Sequence, residues 1–244
     1  MCTLLVAWRL FPEAPICVAA NRDELFDRPA SKPTVWDRDP AVVAPRDEQA
    51  GGTWIGYNGG GVVVAVTNRW VEGEGERSRG LLVTDALAEP TAAAAVERVR
   101  AELAVRQYAP FHLLVADDDS CTLIEHDDER DRVREFSPGV HVVVNVGADG
   151  EWFVPSARPN GGRRQAENAE YLLEAAQPTD GETAAAWTER VGRILGDHDY
   201  GVCLHGDRFG TRSSSTIRLG DERVFAFADG PPCVTPHRRI EESL

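Results

Sequence analysis

Two short apolar runs near the start of the chain have the composition of β-strands. Residues 3–8 and 16–20 are rich in Leu, Val, Ile and Ala, and two prolines lie between them. Because proline interrupts regular structure, this pattern predicts two strands joined by a tight connection. Cys2 therefore lies at the start of the first predicted strand. The second strand is predicted to break at Asn21, where a polar run begins.

The next part of the chain is predicted to form a loop followed by a hairpin. Residues 28–45 are rich in Pro and Asp and have neither the helical nor the strand period, which predicts a long surface loop. Residues 53–57 and 62–67 are β-prone and flank a turn of one asparagine and three glycines. This is the clearest hairpin pattern in the sequence. Asn68 falls at the end of its second strand.

The rest of the chain alternates pairs of helices with groups of strands. Helical patterns cover residues 81–87 and 91–103, with Thr91 as the N-cap, and then residues 163–175 and 182–195. Further strands are predicted at residues 112–116, 122–125, 141–146, 214–219 and 223–228. This order differs from the strict alternation of strand and helix that is typical of a parallel sheet. We therefore predict a single α+β domain over residues 1–244, with antiparallel sheets and segregated helices.

The charge balance excludes some classes of binding partner. The chain has 40 acidic and 26 basic residues, for a formal net charge of -14. Such a surface repels phosphate groups, so nucleic acid and anionic membranes are not expected as partners. Lys32 is the only lysine, which is typical of a salt-loving or high-GC source. With no signal peptide and no apolar stretch of about 18 residues, the chain is predicted to be cytoplasmic, without membrane insertion.

Cysteine and histidine spacing gives no metal motif. The five cysteines are far apart and odd in number, which favours reduced thiols over a disulfide framework. The six histidines form no HExxH pattern. Cys203 and His205 lie on one possible strand without further ligands nearby, so no metal site is expected.

The strongest candidate for chemistry is Cys2. If Met1 is removed, the Cys2 thiol can attack a carbonyl while its own α-amino group, with a pKa of about 7.7–8.0, accepts the proton. The alternative is a small buried side chain at the start of an edge strand. The polar run Asn-Arg-Asp-Glu at residues 21–24 would lie beside Cys2 in a hairpin. Arg favours a thiolate and Asp holds an ammonium, although a solvated turn is the other interpretation of this run.

Five motifs spread over the chain resemble the NRDE family, which includes the transport and Golgi organisation 2 proteins. They are Met-Cys, Ala-Asn-Arg-Asp-Glu, Gly-Gly-Thr-Trp-Ile-Gly, Thr-Asn and Gly-Thr-Arg-Ser-Ser, at residues 1–2, 20–24, 51–56, 67–68 and 210–214. The family is similar to the N-terminal-nucleophile (Ntn) hydrolases, and most similar to their penicillin V acylase and bile-salt hydrolase group. The resemblance implies an αββα sandwich, with two stacked antiparallel sheets flanked by helices.

The resemblance also implies roles for individual side chains. The catalytic candidates are Cys2 as nucleophile, Arg22 as thiolate stabiliser, Asp23 as partner of the α-amine, Asn68 as oxyanion donor, Asn145 as a second such asparagine and Arg212 as a late active-site arginine. The substrate-binding candidates are Asn21, Glu24, Trp54 and Thr211.

One feature departs from the acylase pattern. In the acylases two residues separate the early Arg and Asp, whereas here Arg22 and Asp23 are adjacent. Neighbours on a regular strand face opposite sides, so Asn21 with Asp23, or Arg22 with Glu24, can face Cys2 together. A bulge or turn is needed to aim both Arg22 and Asp23 at the thiol.

Two functions are consistent with these residues. The first is an N-terminal cysteine hydrolase that cleaves a nonpeptide amide or related acyl bond in a small molecule through a Cys2 acyl-enzyme, without a cofactor. The second is a non-catalytic protein on the same scaffold that binds or transports haem, an acyl-coenzyme A or a lipid.

Overall fold

The computed structural model describes residues 2–241 and residue 244. The chain divides into two compact units. The first unit contains the described residues up to Asp27 together with Pro138–Glu241, and the second contains Arg28–Ser137 and Leu244. Each unit has one antiparallel sheet and two α-helices among its described residues, which confirms the predicted α+β class. That the chain is a single domain stays a prediction.

The strands, in chain order, are β1 (Thr3–Phe11), β2 (Ala14–Leu25), β3 (Ala30–Trp36), β4 (Val42–Asp47), β5 (Ile55–Asn58), β6 (Val63–Asn68), β7 (Phe111–Ala116), β8 (Cys121–His126), β9 (Asp131–Glu135), β10 (Gly139–Val144), β11 (Gly147–Ala148), β12 (Glu151–Trp152), β13 (Phe209–Leu219), β14 (Val224–Ala228) and β15 (Arg238–Arg239). The α-helices are α1 (Arg79–Ala86), α2 (Ala92–Leu103), α3 (Pro159–Ala175) and α4 (Ala184–Ile194), and a 3-10 helix covers His198–Tyr200.

The sheet of the first unit has β1 and β2 at its centre. Its strand order is β12-β11-β10-β1-β2-β13-β14-β15, and every neighbouring pair is antiparallel. The first six residues of β1 are buried, as expected for a strand at the centre of a sheet. Helix α3 packs on β10, while α4 packs on β2 and β13. Trp187 of α4 is fully buried and donates a 2.7 Å hydrogen bond from Nε1 to the Ala176 carbonyl.

Strand β2 continues through the polar run, so the predicted break at Asn21 is wrong. The strand continues because β13 pairs with it there: Arg22 lies opposite Ser213, and Asp23 lies opposite Thr211. The register shifts between Thr211 and Ser213. The irregularity therefore lies on β13, at Arg212, and not on β2, where a bulge would be needed to aim both Arg22 and Asp23 at Cys2.

The second unit has a seven-stranded sheet in the order β3-β4-β5-β6-β7-β8-β9. Helices α1 and α2 pack on each other, α1 on β6, and α2 on β7 and β8. The sheet contributes apolar side chains from alternate positions, such as Val62, Val64, Leu113 and Val115, to a core shared with these helices. Among the described residues, no helix is both long and apolar enough to cross a membrane.

The predicted long loop over residues 28–45 is wrong, because β3 and β4 occupy most of it. Strand β3 is an edge strand, where proline is tolerated, and the register of the pair shifts between Ser31 and Thr34, around Pro33. The first three residues of β4 are apolar and buried. The prolines thus mark an edge and an irregularity of a sheet.

Two local predictions are confirmed in the second unit. The turn between β5 and β6 contains three glycines, with Gly61 at φ +87°, and Asn58 Oδ1 accepts hydrogen bonds from the backbone nitrogens of Gly60 and Val62. Thr91 is the N-cap of α2, because its side chain accepts a hydrogen bond from the Ala94 nitrogen.

Replacement of Gly52 by alanine is expected to lower the free energy of unfolding by about 1–3 kcal/mol, the usual cost of overpacking. A Cβ atom at Gly52 would lie 2.2 Å from the Gly80 carbonyl carbon at the start of α1, so backbone must move. Gly59→Ala is the matched control, since its nearest contact would be at 3.8 Å. Denaturant unfolding measures both variants, and equal stabilities would contradict this interpretation of Gly52.

Candidate active site

Neighbouring strands of the first unit bring several predicted residues to one end of the sheet. Thr3, at the start of β1, pairs with Val144 on β10 and with Asn21 on β2. Cys2 directly precedes Thr3, and Asn145 directly follows Val144. Cys2 therefore lies between Asn145 on one side and the polar run of β2 on the other.

The backbone nitrogen of Cys2 is held by a buried amide. It donates a 2.9 Å hydrogen bond to Asn145 Oδ1, and Gln165 Nε2 of α3 donates a 3.0 Å hydrogen bond to the same oxygen. This nitrogen becomes the α-amine if Met1 is removed; Met1 itself lies outside the described residues. Asn145 is thus beside the atom that the N-terminal mechanism uses as its base.

Gln165 was not among the candidates predicted from the sequence. It is fully buried on the face of α3 that contains Gly162, Ala169 and Leu172. The sequence did contain a signal for it, because Gln165 is a polar residue at a position whose spacing places it on the buried face of the helix.

The Cys2 thiol is half-buried, and its Sγ lies 3.9 Å from the backbone oxygen of Asp23. Burial is the main reason that the pKa of the Cys2 thiol is above its ordinary value, and the negative charge of Asp23 raises it further. The positive charge of Arg22 lowers the pKa, but by less than burial raises it. The thiol is therefore protonated near neutral pH and needs a base before it can act as a nucleophile.

The Asp23 carboxylate is buried and anchored by Thr211. Thr211 Oγ1 donates a 2.6 Å hydrogen bond to Asp23 Oδ1, and it accepts a 2.8 Å hydrogen bond from the Leu204 nitrogen. Burial raises the pKa of Asp23 to about 6, against the opposing effect of the Thr211 hydrogen bond. Asp23 therefore changes its charge within the range of pH where most enzymes work.

The arginine candidates lie on adjacent strands. Arg22 is buried, and its Nη2 lies 3.8 Å from Glu24 Oε2, as expected for residues on the same side of a strand. Arg212 is half-buried at the bulge of β13, and its Nε has no hydrogen-bond partner within the described part of the chain. Geometry thus groups Cys2 with Asp23 and Asn145, while catalytic roles for Arg22 and Arg212 stay predictions.

The candidates Trp54 and Asn68 belong to the second unit. Asn68 is the exposed last residue of β6, opposite Phe111 on β7. Trp54 is half-buried directly before β5, and its carbonyl accepts a hydrogen bond from the Val66 nitrogen. Their roles as oxyanion donor and substrate contact stay predictions.

Asn21 is expected to contribute more to stability than to substrate affinity. Its Nδ2 donates to the Leu195 carbonyl at 2.9 Å and the Val202 carbonyl at 3.0 Å, and the residue is 2% exposed. Asn21→Ala leaves both carbonyls without these partners and should lower the free energy of unfolding by about 1–3 kcal/mol. Denaturant unfolding and the KM for an acyl substrate measure the two effects. A raised KM with unchanged stability would instead support the predicted substrate-binding role.

A second group of polar side chains in the first unit has the composition of a metal site. The ligand atoms of His198, Cys203, His205 and Cys233 all lie within 4.8 Å of one another. The expectation that no further ligands lie near Cys203 and His205 is therefore wrong, because the fold places His198, from the preceding turn, and Cys233, from a later segment, beside them.

Comparison with known sequences gives one family. A family model described as "Transport and Golgi organisation 2" matches residues 1–229. The curated "Transport and Golgi organization protein 2 homolog" from Bos taurus is 28% identical over 241 residues, which cover 88% of this chain and 85% of that protein.

Comparison with solved structures identifies the fold. Penicillin V acylase from Agrobacterium tumefaciens superposes with a TM-score of 0.59 at 15% identity, covering 93% of this chain and 82% of that chain. The N-acylethanolamine-hydrolyzing acid amidase ortholog from Caenorhabditis elegans also has a TM-score of 0.59, at 14% identity, covering 88% and 92%. These likenesses confirm the predicted Ntn-hydrolase fold.

Proposed function

Because this chain belongs to the Transport and Golgi organisation 2 family and has an Ntn-hydrolase fold, we propose that it is an N-terminal cysteine hydrolase. The proposed reaction is cleavage of a nonpeptide amide, or a related acyl bond, through an acyl-enzyme on Cys2. The observation that supports it most is the position of Cys2, with its nitrogen bonded to Asn145 and its sulfur beside Asp23.

The proposed acylation step uses one residue as both nucleophile and base. After removal of Met1, the Cys2 α-amine accepts the thiol proton while the sulfur adds to the substrate carbonyl carbon. The C–N bond then breaks, and the same proton passes to the leaving amine. The raised pKa of the thiol makes this internal base necessary.

The proposed deacylation step returns the enzyme to its starting state. The α-amine takes a proton from water, the resulting hydroxide adds to the thioester carbonyl, and the carboxylic acid leaves as the thiol is restored. Asn145 and the Asp23 carboxylate hold the α-amine, while Asn68 is the oxyanion donor assigned by the family resemblance. One such donor stabilises the transition state by roughly 2.7–4 kcal/mol.

The structural neighbours support a substrate class. One is an acylase, and the other is an amidase that hydrolyses N-acylethanolamines. An acyl group linked to a small amine is the common chemistry of the two names. We therefore propose an acyl amide as the substrate of this chain as well.

Intact mass spectrometry with a trapped intermediate tests the proposal. The active protein should lack Met1, and acid quenching during turnover of acyl amides should add the mass of the acyl group to the peptide that contains Cys2. Cys17, which lies in the same sheet and is fully buried, is the internal control for labelling. Active protein that retains Met1 would contradict the mechanism.

Ligand binding without catalysis is a second candidate, because the first unit also has a cavity of about 590 Å³. Helix α4, strands β13 and β14, and residues 232–237 supply its mostly small and apolar lining, which includes His237 but neither Cys2 nor Asp23. This volume is within the range of small-molecule pockets.

Titration of a Cys2→Ala protein with a long-chain acyl-coenzyme A and with haem tests the binding function. Binding should be lost in Ala185→Trp, which narrows the cavity, and kept in Ala186→Trp, the exposed neighbour outside it. A Soret band unchanged from free haem would exclude haem, and failure of both ligands to bind would exclude this candidate.

A further inference from the structure

Four potential metal ligands from three segments of the first unit converge on one point. His198 lies in the 3-10 helix, Cys203 and His205 lie just before β13, and Cys233 lies between β14 and β15. Their ligand atoms lie within 4.8 Å of one another. Two thiols and two imidazoles are a common ligand set of structural zinc sites.

The distances around His205 match those of a tetrahedral site. Its Nε2 lies 3.2 Å from His198 Nε2, 3.2 Å from Cys233 Sγ and 3.7 Å from Cys203 Sγ. Zinc bonds of about 2.0–2.1 Å to nitrogen and 2.3 Å to sulfur place tetrahedral ligand atoms about 3.3–3.8 Å apart. The three separations around His205 are close to this range and the remaining pairs lie within 4.8 Å, so small shifts of the side chains would place one zinc ion between the four atoms.

Hydrogen bonding alone does not account for this arrangement. A neutral imidazole nitrogen either donates one proton or accepts through one lone pair, so a single partner satisfies it. His205 Nε2 has three close neighbours, each of which is itself a metal-binding atom. A shared cation explains why all three approach the same nitrogen.

The backbone around the ligands is held in place before any ion binds. The Val202 carbonyl accepts a hydrogen bond from buried Asn21, and Leu204 exchanges two hydrogen bonds with Thr211, so both neighbours of Cys203 are fixed. On another segment, a Cβ at Gly196 would lie 2.9 Å from the Cys233 nitrogen, which shows how closely the backbones approach. Such support reduces the ordering cost of binding.

We propose that His198, Cys203, His205 and Cys233 bind one zinc ion in a closed tetrahedral site. Four protein ligands leave no open position, so the role is structural. Binding releases the two thiol protons to solvent and involves no change in oxidation state. Leu204 lies between two ligands and is bonded to Thr211, which in turn holds Asp23. The ion would therefore stabilise the segment that positions Asp23, whether or not the protein is a hydrolase.

Cobalt titration of the reduced, chelator-treated protein tests the site. One equivalent of Co²⁺ should give the visible absorption of tetrahedral cobalt and a thiolate-to-metal charge-transfer band, and one equivalent of Zn²⁺ should abolish both. Zinc should also raise the Tm of the wild type. No cobalt spectrum with saturating metal would overturn the proposal.

Two variants separate the proposed site from adventitious binding. His198 is exposed, so His198→Ala should fold normally. Because it removes a direct ligand, it should lower metal affinity by more than the roughly 10–100-fold loss that follows removal of a residue hydrogen-bonded to a ligand. Cys121→Ala, on β8 of the second unit, should leave affinity unchanged. Equal affinity in His198→Ala and wild type would overturn the assignment. The assignment would also be overturned if Cys203 and Cys233 formed a disulfide and the protein bound no metal after that disulfide was reduced.

Discussion

Replacement of Cys2 by alanine is expected to reduce hydrolysis of acyl amides to background, a loss on the order of 10⁴-fold or more in kcat. The reason is that no other thiol takes part in the proposed step. Cys2 alone has its nitrogen bonded to Asn145 and its sulfur next to Asp23. Initial rates with the substrates that the wild-type protein turns over measure the effect.

Cys17→Ala is the matched control for this loss. Cys17 lies on β2 of the same sheet, is fully buried, and its Sγ is 3.8 Å from the Ala14 carbonyl. Its removal should change stability slightly and leave kcat unchanged. A Cys2→Ala protein with wild-type activity would end the catalytic proposal, whereas the fold assignment would remain.

Replacement of Asp23 by asparagine is expected to abolish most activity and at the same time to stabilise the protein above pH 6. In the wild type, kcat/KM should fall as pH drops through about 6, because protonation removes the negative charge that holds the α-amine in the proposed mechanism. Thr211→Val removes a hydrogen bond that lowers the pKa of Asp23, so it should move this acid limb to higher pH. A pH profile of kcat/KM measures both variants.

The stability effect of Asp23 has a definite sign. Burial raises its pKa in the folded protein from 3.8 to about 6, so the native state binds more protons than the unfolded state between these values. Stability therefore falls as pH rises through this window, by up to about 3 kcal/mol. Asp23→Asn should remove that slope. Unfolding measured at pH 4 and at pH 7 tests it, and an unchanged slope would contradict the buried carboxylate.

Local sequence patterns predicted the elements whose causes are local. The glycine turn between β5 and β6 and the Thr91 cap of α2 each depend on a few adjacent residues, and both are present. The sequence patterns did not predict strands β3 and β9, because these strands lack a local pattern. Strand β3 contains a proline at an edge, and β9 has four charged residues among its five, so neither has an apolar alternation.

The candidate site depends on pairings that sequence patterns do not encode. The polar run of β2 remains a strand because β13, far along the chain, completes its ladder and supplies Thr211. Gln165 meets Asn145 only because of how α3 packs, and Cys233 meets His205 only because of the position of the loop before β15. The family resemblance therefore gave Cys2, Asp23, Asn145 and Thr211 as candidates, while the contacts between them and the part of Gln165 required the three-dimensional structure.

The discontinuous first unit also dictates an order of events during synthesis. Strands β1 and β2 are synthesised well before their outer partners β10 and β13, which lie beyond Pro138 and therefore after residues 28–137 of the second unit. Pairing between such distant segments is slow and leaves apolar edges open in the meantime. We therefore expect the second unit to fold first, while the β1–β2 hairpin stays without its outer partners, aggregation-prone and dependent on chaperones, until the segments beyond Pro138 have been synthesised.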